Sequence, residues 1–304
     1  MDLYLPIAGL SVNILVIIGL GGLVGILSGM FGVGGGFLTT PLMIFYGIPP
    51  AVAVASSAPQ ITGASVSGVL AHGTRGGVDY KMGGVLVAGG AIGSLLGGFL
   101  FRLLQDIGQI DTVVNVMYVV MLGGIGIVMA KDAVSSLTAQ WRGVAPPTSG
   151  RRHHPLIAMM PFRWRFYQSG LYISPLAPFL LGLATGIMTV LMGVGGGFIL
   201  VPAMIYILGM SARVVVGTSL FQILFVTAAT TMVHALTTRA VDLVLTALLL
   251  VGSVTGAQIG TRMALKMKPE YLRLALAFIV LVVAIRMLLG LTWQPPEIFT
   301  VQPL

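Results

Sequence analysis

Long apolar runs separated by short polar loops dominate the chain, and they predict ten helical segments, five in each half. In the first half these segments lie near residues 11–31, 35–47, 51–72, 82–103 and 112–130. In the second half they lie near residues 173–192, 196–208, 212–235, 241–263 and 271–291. Most are long enough to cross a bilayer, since ~30 Å of hydrocarbon needs about 20 residues. The second segment of each half is too short to cross easily.

The composition agrees with a protein that faces lipid. Only 8% of the residues are charged and 57% are hydrophobic, with a mean hydropathy of +1.02. Soluble domains carry about 25% charged residues, so this chain cannot cover a water-facing surface. We therefore predict an all-α polytopic membrane protein of the plasma membrane, with a bacterial inner membrane expected. No Lys or Arg occurs in residues 1–12, so the start is expected to be a retained helix rather than a cleaved signal peptide.

The two halves repeat each other in sequence. The stretch GVGGGF occurs at Gly32–Phe37 and again at Gly193–Phe198, an offset of 161 residues. Further matches keep their order as the offset drifts to 162 and then 163: Ser57 with Ser219, Gln60 with Gln222, His72 with His234, and Asp79 with Asp242. A drift of one residue at a loop is what duplicated halves show. We predict a first transmembrane repeat at 1–130 and a second at 173–291.

A Pro- and Gly-interrupted basic segment, residues 131–172, separates the halves, and a short tail follows at 292–304. We predict that 131–172 is a cytoplasmic linker with an interfacial stretch around Phe162 to Tyr167. With this linker inside, 13 of the 16 Lys and Arg residues, Lys81 and Arg165 among them, fall on the cytoplasmic side. That distribution satisfies the positive-inside rule, and five segments per half make the two repeats inverted relative to each other.

Glycine-rich breaks between apolar segments are the main candidate site. Such a break exposes backbone N–H groups, and the helix that follows adds its positive N-terminal dipole, so a small anion can bind there. Matching broken segments in two halves also indicate a transporter site. The alternative is that the glycines only permit tight hairpins or close helix contact. The candidate substrate-binding glycines are Gly32, Gly34, Gly35 and Gly36 in the first break and Gly193, Gly195, Gly196 and Gly197 in the second.

Polar residues on the third segment of each half extend this candidate site. Gln60 lies nine residues into its segment, roughly 14 Å deep at ~1.5 Å per residue, and Gln222 lies at the matching depth. Ser57 and Ser219 lie beside these glutamines. We expect the four side chains to face the cavity and donate to substrate. Hydrogen bonding between helices is the alternative, and it is the favoured one for the hydroxyl groups.

Other polar and small residues have simpler expected roles. His72 and His234 fall at helix ends, where an interfacial position is favoured over proton coupling. Asp79 and Asp242 are expected to begin the fourth helices as N-terminal carboxylates. Spaced glycine pairs are expected to form packing seams between helices: Gly21/Gly25, Gly93/Gly97 and Gly256/Gly260.

Several function classes lose support from the residues that the chain lacks. It has no cysteine, no HExxH motif and no mid-helix aspartate, so we expect neither an intramembrane enzyme nor a metal or other cofactor. Its net charge of +8 is explained by cytoplasmic loops rather than by nucleic-acid binding. A structural or assembly protein, in which the glycine breaks serve packing alone, remains a competing interpretation.

The paired motifs GxxSGxFGVGGGFLTTP, from Gly25, and GxxTxxxGVGGGFILVP, from Gly186, resemble those of the sulfite exporter (TauE/SafE-type) family. The resemblance covers about residues 13 to 290. It implies a plasma-membrane permease of about eight or more helices for sulfite, sulfoacetate or other organosulfur anions. The leading hypothesis is a secondary transporter that exports such anions, with a small anion and the lipid bilayer as its partners. A cation-coupled symporter and a permease for another small organic anion are the alternatives, and the oligomeric state is left open.

Overall fold

A computed structural model describes residues 2–31, 36–73, 76–141, 163–264 and 269–292. Five helices lie before the linker: α1 (Ile14–Phe31), α2 (Gly36–Phe45), α3 (Pro50–Gly73), α4 (Tyr80–Asp106) and α5 (Ile110–Trp141). Five follow it: α6 (Leu176–Met192), α7 (Gly197–Tyr206), α8 (Ala212–Val233), α9 (Leu243–Ala264) and α10 (Pro269–Thr292). A π-helical turn, His234–Thr238, continues α8. The predicted all-α class and the two short second helices are confirmed.

Five stretches among the described residues are long and apolar enough to cross a membrane. They are Tyr80–Asp106, Ile110–Ser135, Val214–Thr238, Leu243–Gly260 and Leu274–Thr292. The helices on either side of each break are shorter apolar ones. The protein is therefore a multi-pass membrane protein in which broken helices are set among full-length spans.

Two β-hairpins were not predicted, and each precedes the first helix of a half. One pairs β1 (Asp2–Leu5) with β2 (Leu10–Asn13), and the other pairs β3 (Trp164–Phe166) with β4 (Leu171–Ile173). The first helix was predicted from residue 11, but residues 10–13 pair with β1, so α1 begins only at Ile14. Each hairpin turn contains a glycine at positive φ, Gly9 or Gly170, which permits the reversal.

The segment between the halves also differs from the prediction. The helix α5 continues to Trp141, beyond the predicted boundary at 130, and the hairpin occupies the part of the predicted linker that includes residues 164–167. Residues 142–162 and the tail from 293 lie outside the described residues, so the proposed linker and tail boundaries remain predictions.

Glycine seams join helices from opposite halves. The helix α1 packs along α9, and α4 packs along α6. A Cβ atom at Gly25 would lie 2.4 Å from the carbonyl oxygen of Ser253, and one at Gly93 would lie 2.2 Å from that of Leu183. A Cβ atom at Gly256 would lie 2.2 Å from the carbonyl oxygen of Gly22. Only glycine allows such contact, so the predicted packing role of the spaced glycines is confirmed.

One contact joins the start of α4 to the β3–β4 hairpin. The Nζ atom of Lys81 lies 3.2 Å from the carbonyl oxygen of Arg165, and both residues were predicted to lie on the cytoplasmic side. The two basic residues do lie at one end of the molecule. The inverted relation of the two halves stays a prediction.

Candidate functional site

The starts of the two short helices meet inside the molecule. The rings of Phe37 and Phe198, each the second residue of its short helix, stack with centroids 4.5 Å apart and planes 9° apart. A Cβ atom at Gly36 would lie 2.7 Å from the carbonyl oxygen of Val194 in the other break. The start of α2 therefore lies against the second break. The candidate residues Gly32, Gly34 and Gly35 lie outside the described residues.

The backbone of the second break explains why its sequence is rich in glycine. Gly193, Gly195 and Gly196 have φ values of 68°, 74° and 74°, in the left-handed region that other residues rarely adopt. Gly193 also has no room for a side chain, because its Cβ atom would lie 2.3 Å from Ser57 Oγ. Gly197 is buried and begins α7. The break is thus a specific backbone shape rather than a flexible joint.

A run of backbone amides at this break lacks hydrogen-bond acceptors. The amide of Gly193 donates to the carbonyl of Thr189, and the amides of Ile199 and Leu200 donate to the carbonyl of Gly196. Among the described residues, no acceptor is found for the five intervening amides, those of residues 194 to 198, although all five residues are buried. Buried N–H groups without partners are rare and costly, so a bound group with negative charge would stabilise this segment.

Ser57 ties the third helix to the second break. Its Oγ atom lies 2.9 Å from the carbonyl oxygen of Gly193 and 2.8 Å from that of Val54, and it accepts a hydrogen bond from Thr40 Oγ1 at 3.1 Å. These contacts link α2, α3 and the break through one hydroxyl group. They match the favoured alternative for the hydroxyls, hydrogen bonding between helices, and a direct contact of Ser57 with substrate stays a prediction.

The two glutamines are buried near the breaks. Gln60 Oε1 lies 3.5 Å from Thr39 Oγ1 of α2. Gln222 Nε2 donates to Thr185 Oγ1 of α6 at 3.4 Å. The hydroxyl of Thr185 donates to the carbonyl of Gly182, so it acts as an acceptor toward Gln222, and this fixes which way the amide of Gln222 points. Gln222 Oε1 is then buried without any donor among the described residues.

Three further hydroxyls of the third helices bind protein groups. Ser219 donates to the carbonyl of Val216 at 2.9 Å. Ser56 accepts from the amide of Asp242 at 3.0 Å, and Thr218 accepts from the amide of Asp79 at 2.9 Å. Ser56 and Thr218 therefore each hold the start of a helix from the other half, as the favoured alternative for the hydroxyls expects. A substrate contact by Ser219 stays a prediction.

Both aspartates begin their helices as predicted, and each also binds a hairpin. Asp79 Oδ1 accepts from the amide of Met82, and its Oδ2 accepts from the amide and hydroxyl of Ser169 in the β3–β4 turn. Asp242 Oδ1 accepts from the amide of Leu245, and its Oδ2 accepts from the amide of Ile7 in the β1–β2 turn. Each hairpin is thus attached to the fourth helix of the opposite half.

Two side chains, those of Tyr118 and His234, hold the end of α6. The sequence indicated no role for Tyr118, and it predicted an interfacial position for His234. The hydroxyl of Tyr118 on α5 hydrogen-bonds the carbonyl of Met192, the last residue before the break. His234 Nε2 lies 3.0 Å from the carbonyl oxygen of Val190, and its ring is fully buried rather than interfacial. The side chain of His72 is not described. The last carbonyl groups of a broken helix need hydrogen-bond donors from elsewhere in the protein. A tyrosine in a neighbouring membrane span could have been predicted as such a donor on this ground.

The comparison with protein families gives one clear match. A family model described as "Sulfite exporter TauE/SafE" matches residues 17–287, which include both breaks and all ten helices in whole or in part. No solved structure matches the chain significantly.

Curated relatives from two bacteria are similar over nearly their whole length. A "Probable membrane transporter protein" of Xylella fastidiosa is 27% identical over 275 residues, which cover 90% of this chain and 93% of the relative. The "Probable membrane transporter protein YjnA" of Bacillus subtilis is 26% identical over 279 residues, covering 92% of this chain and 100% of the relative. A second Bacillus subtilis protein, "Probable membrane transporter protein YunE", is 26% identical and covers 92% and 98% respectively.

Proposed function

The chain belongs to the sulfite exporter TauE/SafE family of membrane transporters, and we propose that it exports small sulfur-containing anions such as sulfite or sulfoacetate. In this proposal the anion binds where the two glycine-rich breaks meet. The ligands are the break amides, with Gln60 and Gln222 beside them.

The observation that carries the proposal is the run of buried amides at residues 194 to 198, for which the described part of the chain provides no acceptor. These N–H groups lie at the N-terminus of α7, where the helix dipole favours negative charge. Backbone donors bind an oxyanion without a full opposing charge, so release needs less energy than it would from a lysine or arginine. A transporter requires such release at every cycle.

Gln222 Oε1 has no donor among the described residues, and this limits the kinds of anion that the site would bind. A bound ligand with a hydroxyl proton would satisfy Gln222 Oε1 while its other oxygens accept from the break amides. Sulfite in its singly protonated hydroxyl form offers both functions. A fully deprotonated anion would instead need a water molecule between itself and this oxygen.

Alternating access is the mechanism that fits a buried site between two halves. The side chains of Ser57, Gln60, Ser219 and Gln222 are each at most 2% exposed, so an anion reaches them only when helices move apart. The seams α1–α9 and α4–α6 each join helices from opposite halves. Movement of these pairs would open the site to one side at a time. A negative-inside membrane potential favours anion exit by about 2.3 kcal/mol per charge per 100 mV.

Flux measurements in proteoliposomes test this proposal. The purified protein is reconstituted, and the movement of sulfite, sulfoacetate and thiosulfate is followed with and without an imposed potential and a sodium or proton gradient. We expect at least one of these anions to move and its exit to speed up with a potential that is negative on the side it leaves. Strict dependence on a cation gradient would favour the symporter alternative. If a folded, monodisperse protein moves none of the three, the proposed substrate class is wrong.

A further inference from the structure

An apolar groove with a basic rim lies on the outside of the molecule, away from the helix breaks. It has a volume of about 700 Å³, and it lies between α4 and the start of α6. Its lining residues are Val85, Ala88, Trp164, Leu176, Phe179 and Pro175, with the backbone region of Ser174. We propose that this groove binds an anionic phospholipid, with one acyl chain in the groove and the phosphate beside Lys81.

The position of Lys81 links the charge to the groove. Lys81, Val85 and Ala88 follow one another at spacings of four and three residues on α4, so they share one face of the helix. The Nζ atom of Lys81 lies 5.2 Å from the centroid of the Trp164 ring, which lines the groove. The positive charge of Lys81 therefore lies at one end of the apolar groove, where the phosphate of a bound lipid would lie.

The ammonium group of Lys81 has capacity for a further ligand. It donates to the carbonyl of Arg165 at 3.2 Å, and an ammonium group has three donors. Within the described parts of the chain it forms no ion pair with a carboxylate. The nearby Asp79 carboxylate is buried and occupied by Met82 and Ser169. A phosphate is thus the missing countercharge at this rim.

The surrounding hairpin carries the features of a membrane–water boundary. Trp164, Tyr167 and Tyr172 are exposed, Tyr167 by 78%, and such rings collect at the headgroup level. Arg165 lies on the same hairpin with its guanidinium 5.7 Å from the Tyr167 ring, and it adds positive potential at this end.

The position that corresponds to Lys81 in the second half carries no charge. The residue two positions after Asp242, which corresponds to Lys81 after Asp79, is Val244. The β1–β2 hairpin and its turn contain no Lys or Arg. A binding site for an anionic headgroup at one end only is expected where only one leaflet surface is strongly negative.

The other candidate occupant is a segment of the same chain. Residues 156–162, LIAMMPF, are apolar and immediately precede Arg163, and they lie outside the described residues. The cysteine-free chain allows this alternative to be tested directly with an introduced pair, Ala88→Cys with Met159→Cys.

Native mass spectrometry of the purified full chain, titrated with phosphatidylglycerol and with phosphatidylcholine, tests the proposal. We expect the wild type to prefer phosphatidylglycerol, and Lys81→Gln to lower that preference about fivefold. Ala88→Trp should fill the groove and reduce binding of both lipids, while Lys131→Gln, which removes an exposed lysine elsewhere, should change neither. Lipid binding that is the same in the wild type, Lys81→Gln and Ala88→Trp would overturn the proposal. Ready disulfide formation by the introduced pair would also overturn it, because the chain would then fill its own groove.

Discussion

Phe37 and Phe198 stack face to face at the starts of α2 and α7, with ring centroids 4.5 Å apart. Both rings are buried, at 0% and 2% exposure, so this contact joins the starts of the two short helices inside the protein. The stack fixes how the two helix N-termini approach each other. The separation of the breaks, and hence any site between them, therefore depends on this aromatic pair.

A double-mutant cycle measures that dependence. We expect Phe37→Leu and Phe198→Leu to be non-additive, with a coupling of about 0.5–1.5 kcal/mol in the free energy of unfolding, because each change removes the same stack. Unfolding of the reconstituted protein by denaturant gives the four values needed. Phe99→Leu, at a ring that is 73% exposed, is the control and should be additive with either change. Additive effects for Phe37 and Phe198 would show that the stack is not a unit.

The glycine seams give a prediction about stability. A Cβ atom at Gly25 would lie 2.4 Å from the carbonyl oxygen of Ser253, whereas one at Gly19 on the same helix would meet nothing within 4 Å. We expect Gly25→Ala to destabilise the protein by about 1–3 kcal/mol through forced separation of α1 and α9. Gly19→Ala should be neutral or stabilise it by up to about 1 kcal/mol. Thermal unfolding in detergent compares the two, and equal midpoints would contradict the seam.

The sequence predicted the helices well because their signal is local. Apolar runs and the repeated GVGGGF motif are visible in single segments, so the short helices α2 and α7 were found within a few residues. The hairpins were missed because their strands are short and their main anchors are distant, as in the contact of Asp242 with Ile7. Helix periodicity carries no information about such a contact.

The candidate site shows the same limit. The glycines could be identified from spacing, and the burial of Gln60 and Gln222 followed from depth. The sequence could not predict which way a side chain points on a helix that is buried on several faces. Ser56 lies one turn from Gln60, yet its hydroxyl binds the amide of Asp242. Which hydroxyls serve packing and which remain available depends on partners from the other half of the chain.

Gln222 offers a test that separates binding from packing. Gln222→Met keeps the approximate size of the side chain and removes a buried acceptor that has no donor among the described residues. Removal of the unsatisfied acceptor offsets the loss of the 3.4 Å hydrogen bond from Gln222 Nε2 to Thr185, so we expect the free energy of unfolding to change by less than about 1 kcal/mol. If Gln222 contacts the anion, efflux should fall about 5- to 30-fold, equivalent to about 1–2 kcal/mol. Gln105→Met, at an exposed position on α4, should leave both unchanged. Undiminished efflux from Gln222→Met would remove this residue from the proposed site.

The two aspartates allow a crossed experiment on the hairpins. Asn keeps one oxygen for the helix cap but replaces the other with an NH₂ group, which cannot accept from the hairpin. We expect Asp79→Asn to raise amide exchange in residues 164–173 only, because Ser169 loses its acceptor. Asp242→Asn should raise exchange in residues 2–13 only, because Ile7 loses its acceptor. A bond to a charged acceptor contributes about 1.5–3 kcal/mol, so exchange should rise about tenfold or more.

Each aspartate variant serves as the control for the other. Hydrogen–deuterium exchange read by peptide mass spectrometry resolves the two hairpins in one sample. If either variant loosened both hairpins equally, the aspartates would act on overall stability and not as separate attachments.

Gly196 gives the most direct test of the break itself. Its φ of 74° is left-handed, and an added Cβ atom would lie 3.2 Å from Thr185 Cβ, so we expect Gly196→Ala to disturb the backbone at the amides of residues 194 to 198. Backbone strain alone costs about 1–2 kcal/mol at such a position, so a control with the same strain is needed. Gly108, in the loop between α4 and α5, has a φ of 75° and nothing within 4 Å of its Cβ position.

We therefore expect Gly108→Ala to lose a similar amount of stability but to keep the efflux rate of the wild type. In Gly196→Ala the efflux rate should fall about 10- to 100-fold. Proteoliposome flux, corrected for the amount of folded protein, compares the two variants. The contrast matters because both substitutions place alanine at the same backbone angle, and only one of them lies beside the proposed anion. Equal efflux from the two would mean that the amides at the break serve the fold and that the anion binds elsewhere.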